Sequence, residues 1–401
     1  MTTSTLQPRT PEELRAAVEW ALNDGVSLAI EGRGSKRAYG PPVKADHILS
    51  LAGIAGVVDY QPEELVITVK AGTPIREVEA LLAQRKQMLA FEPPDLGAML
   101  GGEAGEGTLA GALMCNLAGP RRISHGAARD HFLGFQGVNG RGELFKSGGR
   151  VVKNVTGYDL SKLLAGSRGT LAALHEITVK VVPAAEKLRT LLLVGLDDAT
   201  AVRAMCAAMG SPNEVSGAAH LPAEVAAKSG IDLVTSQGGA ITALRIEGVA
   251  PSTEARMTAL REQFAGVAPQ MEELHSMRSR LFWTELRDAR PLANDADRLL
   301  WKLSCPPSDG ATVVAAVRAR LPDARAQYDW SGGMIWLTTR EANADIVRDA
   351  LRRTGGHATL IRAPQSVRAS MPVFHPQPDA LAALSRRVKE SFDPRSVFAG
   401  Y

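Results

Sequence analysis

The sequence has few cysteines, and none of them is in a metal-binding spacing. Its three cysteines are Cys115, Cys206 and Cys305, and no C-x-x-C pair occurs in the 401 residues. Widely separated thiols indicate a reducing compartment and argue against a zinc or iron–sulfur centre held by this chain. The eight histidines form neither H-x-H nor H-E-x-x-H. We therefore predict no metal site.

Long apolar runs and a dominant charge are also missing. No stretch of about 18 apolar residues occurs, which predicts no membrane span. Residues 1–11 are polar, so we expect no signal peptide and a cytoplasmic location. The 46 lysines and arginines exceed the 43 acidic residues by only +3, a charge too small to indicate nucleic-acid binding.

Glycine, by contrast, is in mild excess at 38 residues, and the excess lies between Gly97 and Gly169. Glycine combines with small or cationic side chains in three segments, at 31–36, 101–119 and 153–177. Glycines allow main-chain N–H groups to approach an anion closely. Three such segments suit a long ligand with a central diphosphate better than a lone phosphate. Any one segment by itself is more simply a tight turn.

The first glycine segment lies within "AIEGRGSKRAYG", residues 29–40, and follows a predicted strand. It matches neither common phosphate-binding motif. A dinucleotide-binding G-x-G-x-x-G needs glycine where Arg37 stands. A P-loop needs glycine directly before Lys36, where Ser35 stands. The rest of the chain has to identify the ligand.

Hydrophobic periodicity predicts an α+β protein. Residues 10–24 have the pattern of a helix capped by Thr10, and 57–72 alternate as a strand pair. Beyond residue 186, the strand-like runs "RTLLLVGL" (189–196), "ITALRIEGV" (241–249) and "GGMIWLTT" (332–339) alternate with helical patterns at 198–209, 252–264, 309–320 and 341–352. A composition change near 186 and a last helix at 379–391 predict three segments, with bounds 1–185, 186–375 and 376–401.

Three motifs together resemble one flavoprotein superfamily. They are "IEGRGSKRAYG" (30–40), "GTLAGALMCNLAGPRRISHGAARDHFLG" (107–134) and "KNVTGYDLSKLLAGSRGTLAALHEIT" (153–178). This superfamily has the vanillyl-alcohol-oxidase or p-cresol-methylhydroxylase (PCMH) type of FAD-binding domain. Within it, the sequence most resembles the family of small FAD-binding subunits of bacterial glycolate oxidase (glycolate dehydrogenase). The likeness is strong over residues 25–185 and weaker over the last 30.

The resemblance implies a fold and a set of cofactor-binding residues. It implies a two-lobed PCMH-type FAD-binding domain at 1–185, an α+β cap at 186–375, and a C-terminal helix that packs on the first domain. The residues implied to hold the FAD diphosphate are Arg33, Gly34, Ser35 and Lys36. Those implied to line the diphosphate and the inner flavin edge are Thr108, Leu109, Gly111, Asn116 and Gly119. The backbone at Ile177 is implied to meet the adenosine end.

Further positions are implied near the flavin or the domain core, namely Asn154, Gly157 and Tyr158. For Tyr158, a buried tyrosine with a satisfied hydroxyl is an equal alternative. Relatives with covalent flavin often carry histidine in the first loop. Ser35 and Lys36 occupy that stretch here, so FAD is expected to be held non-covalently.

Substrate-binding candidates are few. Hydroxyacid-oxidising relatives carry an H-x-G-D-G-N-x-H motif, which does not occur here. The remaining candidates for binding a carboxylate or lying beside the flavin are Trp330, His357 and Arg362. Each is more simply a packed or surface residue, and no catalytic residue is predicted.

The resemblance implies oxidation of glycolate, a small 2-hydroxyacid, to glyoxylate. Electrons would pass to a larger FAD-binding subunit and an iron–sulfur subunit, and any membrane association would come through these partners. Three alternatives stay open. In the first, this chain's own flavin oxidises the substrate. In the second, the chain binds FAD for electron relay or assembly, and the missing histidine motif favours this alternative. In the third, the chain is a stand-alone FAD oxidoreductase with another substrate.

Overall fold

The computed structural model describes residues 4–149 and 157–400. The chain forms two compact units. Unit 1 comprises Met1–Ala118, Gly126–Ala184 and Pro376–Tyr401, and unit 2 comprises Gly119–His125 and Ala185–His375. Both units combine helices with β-sheets, which confirms the predicted α+β class. Residues 119–125, which the sequence assigned to the first domain, group with unit 2.

The strands of the described residues are β1 (Ser4–Leu6), β2 (Leu28–Glu31), β3 (His47–Ser50), β4 (Val57–Gln61), β5 (Val66–Lys70), β6 (Gln87–Met88), β7 (Phe132–Asn139), β8 (Leu144–Gly148), β9 (Ala172–Lys180), β10 (Val182–Pro183), β11 (Lys187–Val194), β12 (Gly217–Leu221), β13 (Ile241–Gly248), β14 (Gln270–His275), β15 (Leu299–Ser304), β16 (Arg325–Asp329), β17 (Met334–Thr339) and β18 (His357–Arg362).

The α-helices are α1 (Pro11–Asp24), α2 (Ile75–Gln84), α3 (Leu96–Met99), α4 (Leu109–Met114), α5 (Arg122–His125), α6 (Ala128–His131), α7 (Leu160–Leu164), α8 (Asp198–Met209), α9 (Ala223–Ala226), α10 (Asp232–Thr235), α11 (Ala250–Phe264), α12 (Ser276–Arg287), α13 (Arg290–Ala293), α14 (Gly310–Arg318), α15 (Ala344–Asp349), α16 (Gln365–Ser370) and α17 (Asp379–Phe392).

The predicted first helix is confirmed as α1, and its ends follow from local chemistry. Thr10 precedes it in an extended conformation, and the Thr10 side chain accepts a hydrogen bond from the Glu13 N–H at 3.2 Å. Gly25 ends it with a φ of 67°, a left-handed conformation that glycine adopts without steric cost. Its apolar face is fully buried in the core of unit 1, through Leu14, Val18 and Ala21.

Unit 1 is built around a five-stranded antiparallel sheet in the order β4-β5-β9-β7-β8, with a three-stranded parallel sheet, β1-β3-β2. The C-terminal segment belongs to this unit. The Leu28 N–H donates to the Val397 carbonyl at 2.7 Å, and the Ala399 N–H donates to the Leu28 carbonyl at 2.8 Å. These two bonds attach the chain end to the strand that leads into the first glycine loop.

Unit 2 contains one eight-stranded antiparallel sheet in the order β14-β11-β13-β12-β16-β17-β15-β18. Side chains alternate between the two faces of a strand. Trp301, Tyr328 and Ile335 point to one face, where they join the hydrophobic core with α8, α11 and α14. Lys302 and Trp336 each follow one of these core residues, so they lie on the other face, where they are paired across β15 and β17. The second face therefore carries polar groups.

Several elements of unit 2 were predicted from the sequence, and α8 has the predicted bounds of 198–209. Helix α15 is shorter than the predicted 341–352. Within the described residues, no helix is both long enough and apolar enough to cross a membrane.

Candidate functional site

A cavity of about 320 Å³ lies in unit 1, within the size range of small-molecule sites of about 300–1,000 Å³. Residues between 39 and 51 line it together with three separated parts of the chain. They are the loop after β2 at 31–37, the start of α4 at Thr108, Ala110 and Gly111, and the region of Arg168, Gly169, Ala172 and Leu174 at the start of β9. The three glycine segments that the sequence singled out thus each contribute to one cavity.

The first loop presents free main-chain donors to this cavity. Within the described part of the chain, the N–H groups of four consecutive residues have no hydrogen-bond partner, those of Arg33, Gly34, Ser35 and Lys36. Gly34 has a φ of 80°, so the loop turns through a left-handed position that favours glycine. Successive N–H groups in such a turn form a concave binding site for an anion.

The loop carries three cationic side chains, and they differ in whether an acidic side chain pairs with them. Arg33 pairs with Glu106 at 2.5 Å, and Arg37 pairs with Glu31 through two nitrogens at 2.6 and 2.5 Å. Lys36 has no acidic partner within 4.0 Å in the described residues; its ammonium donates only to the Ser35 hydroxyl, at 3.4 Å. Burial lowers the pKa of Lys36. An anion in the cavity would supply the missing counter-charge.

The second glycine segment packs against the first loop with almost no spare space. The Thr108 hydroxyl caps α4 and accepts a hydrogen bond from the Gly111 N–H at 3.1 Å. A Cβ at Gly32 would lie 2.6 Å from that hydroxyl oxygen, and a Cβ at Gly111 would lie 3.3 Å from the Lys36 ammonium. Gly32 therefore requires glycine for close approach to Thr108, whereas a Cβ at Gly111 would need only a small shift of neighbouring side-chain atoms.

Part of the cavity surface is apolar. It is lined by Ile30, Val43, Ile48, Met114 and Leu174, among others. A polar loop beside an apolar wall suits a ligand that joins a diphosphate to a flat ring system. The sequence motifs assigned no cofactor-binding role to Arg168 or Cys115, although both line the cavity. Arg168 lies inside the "GSRG" motif, which could have identified it.

Six described residues among the predicted cofactor residues lie outside the cavity lining, and four of them have evident structural roles. Leu109 is fully buried in the core of unit 1, and the Asn116 side chain accepts a hydrogen bond from the Arg129 N–H at 3.0 Å. The Gly119 carbonyl accepts a hydrogen bond within unit 2, and Ile177 pairs with strands on both sides in the middle of the five-stranded sheet. Ala172 and Leu174 reach the cavity instead, because they lie nearer the start of β9.

Two more predicted positions lie within the third glycine segment. Tyr158 is 90% exposed, so the expectation of a core position or a buried tyrosine is wrong. Gly157 has a φ of 76°, and a Cβ added there would have nothing within 4 Å, so it makes no close approach. Asn154 lies outside the described residues.

The three substrate candidates all lie in unit 2. Trp330 is 8% exposed, and His357 begins β18 at the edge of the sheet. Arg362 donates to the carbonyls of Ala293, Asp295 and Arg298 at 2.5, 2.7 and 3.2 Å. These bonds use the guanidinium to hold a loop, so the predicted carboxylate-binding role of Arg362 is not supported.

Comparison with known proteins identifies the cofactor and the fold. A family model described as "FAD binding domain" matches residues 3–148, which include the first loop and the start of α4. The free N–H groups, the unpaired Lys36 and the apolar wall fit this cofactor. The crystal structure of p-cresol methylhydroxylase with substrate bound superposes with a TM-score of 0.72 at 13% identity, covering 98% of this chain and 88% of that chain. The PCMH-type fold is thereby confirmed.

Relatives extend the similarity to both units. Glycolate oxidase subunit GlcE of Escherichia coli (strain K12) is 32% identical over 388 residues, 96% of this chain and 95% of that protein. Glycolate oxidase subunit GlcD of Bacillus subtilis (strain 168) is 29% identical over 193 residues, 48% of this chain and 39% of that protein. The chain therefore belongs to the GlcE family of FAD-linked oxidoreductases, and its cofactor is FAD.

Proposed function

We propose that this chain is the FAD-binding subunit of a complex that oxidises glycolate to glyoxylate. The main support is the similarity to GlcE across 96% of the chain, which includes unit 2 as well as the FAD-binding region. Glycolate loses a hydride from its alcohol carbon and a proton from its hydroxyl group. When bound, FAD accepts the hydride.

The first loop would hold the FAD diphosphate. We assign the contact to the main-chain N–H groups of residues 33–36 and to the Lys36 ammonium. Arg33 would act indirectly, because its guanidinium is already paired with Glu106 and fixes the loop position. Thr108 and Gly111 would keep the second glycine segment against the loop.

We expect FAD to be held without a covalent bond. No histidine lines the cavity among the described residues, and burial raises the pKa of the Cys115 thiol, which keeps it protonated and poorly nucleophilic. Precipitating the purified protein with acid should therefore release all of its flavin into the supernatant. Yellow colour retained in the washed pellet would contradict this.

Electrons would leave through partner subunits. GlcD of Bacillus subtilis is also named as a subunit of glycolate oxidase, which supports a complex with a larger FAD-binding subunit. We propose an iron–sulfur subunit as the next carrier, in a cytoplasmic complex that reaches the membrane only through its partners. Co-purification of this chain with products of neighbouring reading frames would test the assembly.

Gly34→Asp is expected to abolish FAD retention. The new side chain would carry negative charge into the loop, and its Cβ would lie 3.1 Å from Arg37 Nε. Gly195→Asp is a matched control in unit 2, because Gly195 has a similar φ of 84° but nothing within 4 Å of its Cβ position. The flavin-to-protein absorbance ratio should fall to near zero in the first variant only. Normal flavin content in Gly34→Asp would show that the loop is misassigned.

Anaerobic addition of glycolate to the purified, FAD-loaded chain tests the proposed function. Bleaching of the flavin absorbance would show that this chain oxidises glycolate itself. A yellow protein that bleaches only after its larger partner is added would favour an electron-relay or assembly role. Bleaching by other alcohols but never by glycolate would favour a stand-alone oxidoreductase. A chain that never binds FAD would overturn all three.

A further inference from the structure

Two cations in unit 2 share one indole ring, and neither has an acidic partner within 4.0 Å among the described residues. The Arg122 guanidinium carbon is 4.8 Å from the centre of the Trp330 ring, and the Lys302 ammonium is 5.1 Å from it. Neither side chain makes a hydrogen bond or ion pair with any described residue. Cations commonly pack on tryptophan. Two of them on one ring without an acidic side chain at ion-pair distance point to an external anion.

The Trp330 ring is held firmly in this position. Its indole N–H donates to the Gly119 carbonyl at 2.9 Å, and its main-chain N–H donates to the Asp329 carboxylate at 2.7 Å. Trp330 has a φ of 49° and Ser331 a φ of 62°, left-handed conformations that are strained for residues with a Cβ. Strained backbone of this kind clusters at functional sites.

A second donor lies beside Lys302. Trp336 faces Lys302 across β17 and β15, with the ammonium 6.0 Å from its ring centre. Trp336 is 2% exposed, and its indole N–H has no hydrogen-bond partner among the described residues. A buried donor without a partner costs free energy that a ligand oxygen could recover.

The local electrostatics favour an anion. Burial and then the charge of Arg122 lower the pKa of Lys302 to about 8, against the opposing effect of Asp329. Burial, followed by the charges of Lys302, His375 and Arg122, lowers the pKa of His357. Burial and the charge of Arg348 lower the pKa of His375. Burial and neighbouring cations thus disfavour the charged form of both histidines. Asp329 offsets part of the charge of Lys302, and Arg122 adds positive charge beside it.

We propose that Lys302 and Arg122, positioned by Trp330, bind the carboxylate group of a small organic acid. The identity of that acid as the 2-hydroxyacid substrate rests on the proposed function. Lys302 and Arg122 therefore take the place of Arg362 as the candidates for carboxylate binding. Trp330 remains a candidate, as the residue that positions the two cations.

Calorimetric titration of the FAD-loaded full chain with oxalate tests the site. Oxalate carries the carboxylate but has no alcohol to oxidise, so binding is measured without turnover. The wild-type affinity should fall about tenfold between pH 7 and pH 9, because the protonated fraction of Lys302 falls by that factor. Lys302→Arg should bind at both pH values without this loss, since arginine stays charged.

Two further variants and a control complete the test. Lys302→Met should weaken oxalate binding at pH 7 at least tenfold, and Arg122→Gln should weaken it several-fold. Lys228→Met removes a lysine that is paired with Asp295 at 2.6 Å and should leave the affinity unchanged. Flavin content and melting temperature report whether each variant is folded.

Three results would overturn the proposal: no oxalate binding by the wild-type protein, normal binding by folded Lys302→Met, or an alkaline loss that persists in Lys302→Arg. Failure of the proposed function looks different. Oxalate would bind as expected while glycolate never bleaches the flavin.

Discussion

Lys36→Glu is expected to yield a folded protein that is purified without FAD. Among the described residues, Lys36 is the cation of the 31–37 loop that has no acidic partner, so it is available to the diphosphate. A hydrogen bond to a charged group contributes about 1.5–3 kcal/mol, and the variant would lose this and place a carboxylate against the diphosphate. We expect FAD affinity to fall at least about a hundredfold, because each 1.4 kcal/mol is a factor of ten.

Lys44→Glu is the matched control for this variant. Lys44 is exposed and its replacement makes the same change in net charge, but it does not line the cavity, whereas its neighbours Val43 and Ala45 do. Titrating FAD into the two apoproteins by fluorescence gives both dissociation constants. Equal affinities for FAD would show that the diphosphate is not bound at Lys36.

Glu247→Gln is expected to destabilise unit 2 by about 3–5 kcal/mol. The Glu247 carboxylate accepts two hydrogen bonds from Arg121, at 2.9 and 2.5 Å, and lies 3.5 Å from Arg245. Arg121 is 7% exposed and Arg245 is fully buried. The variant would remove the negative charge that Arg121 and Arg245 share, and two buried guanidinium groups would lose this carboxylate. Urea unfolding monitored by tryptophan fluorescence reports the loss, because four of the five tryptophans lie in unit 2.

Glu214→Gln provides the contrast. Glu214 also pairs with an arginine, Arg256 at 3.1 Å, but its side chain is 81% exposed. Exposed pairs contribute about 0–1 kcal/mol, so this variant should unfold close to the wild-type urea concentration. Similar midpoints for the two variants would show that burial of the Glu247 group is not important for stability.

The same carboxylate predicts how stability changes with pH. Desolvation would raise the pKa of Glu247, but the charges of Arg245 and Arg121 outweigh it and hold that pKa well below its usual range. A lowered pKa in the folded state stabilises the protein above the unfolded-state pKa of about 4.3, and the stabilisation is lost as pH falls below it. As the pH falls below 5, the free energy of unfolding of unit 2 should therefore decrease less in Glu247→Gln than in the wild-type protein.

The two arginines of "GPRR" have different roles that could not be predicted from the sequence. The motif identified the family, yet it does not distinguish the roles of its two arginines. Arg121 is buried against Glu247, 126 positions later, whereas Arg122 lies over Trp330 without an acidic partner among the described residues. Both roles depend on residues more than a hundred positions later in the chain, so the local spacing of the motif could not predict them.

The polar face of the sheet was also beyond prediction. Strand β17 was recognised, but β12, β14, β15, β16 and β18 were not, because short strands in an α+β region carry little periodic signal. Lys302 belongs to no motif. Its importance arises only when antiparallel pairing places it beside Trp336 and under Trp330.

Local sequence patterns were enough to predict FAD as the ligand, the three glycine segments that would hold it, the family and the first helix. These follow from local chemistry: glycine permits close backbone approach, Thr10 caps a helix start, and motif spacing survives in linear order. The tertiary structure decided which of the named residues reach the cavity, which cations are left without a partner, and which are consumed by structural pairing. Those outcomes depend on distances between residues far apart in the chain, and burial and pairing set the free energy of each charge only after the fold has formed.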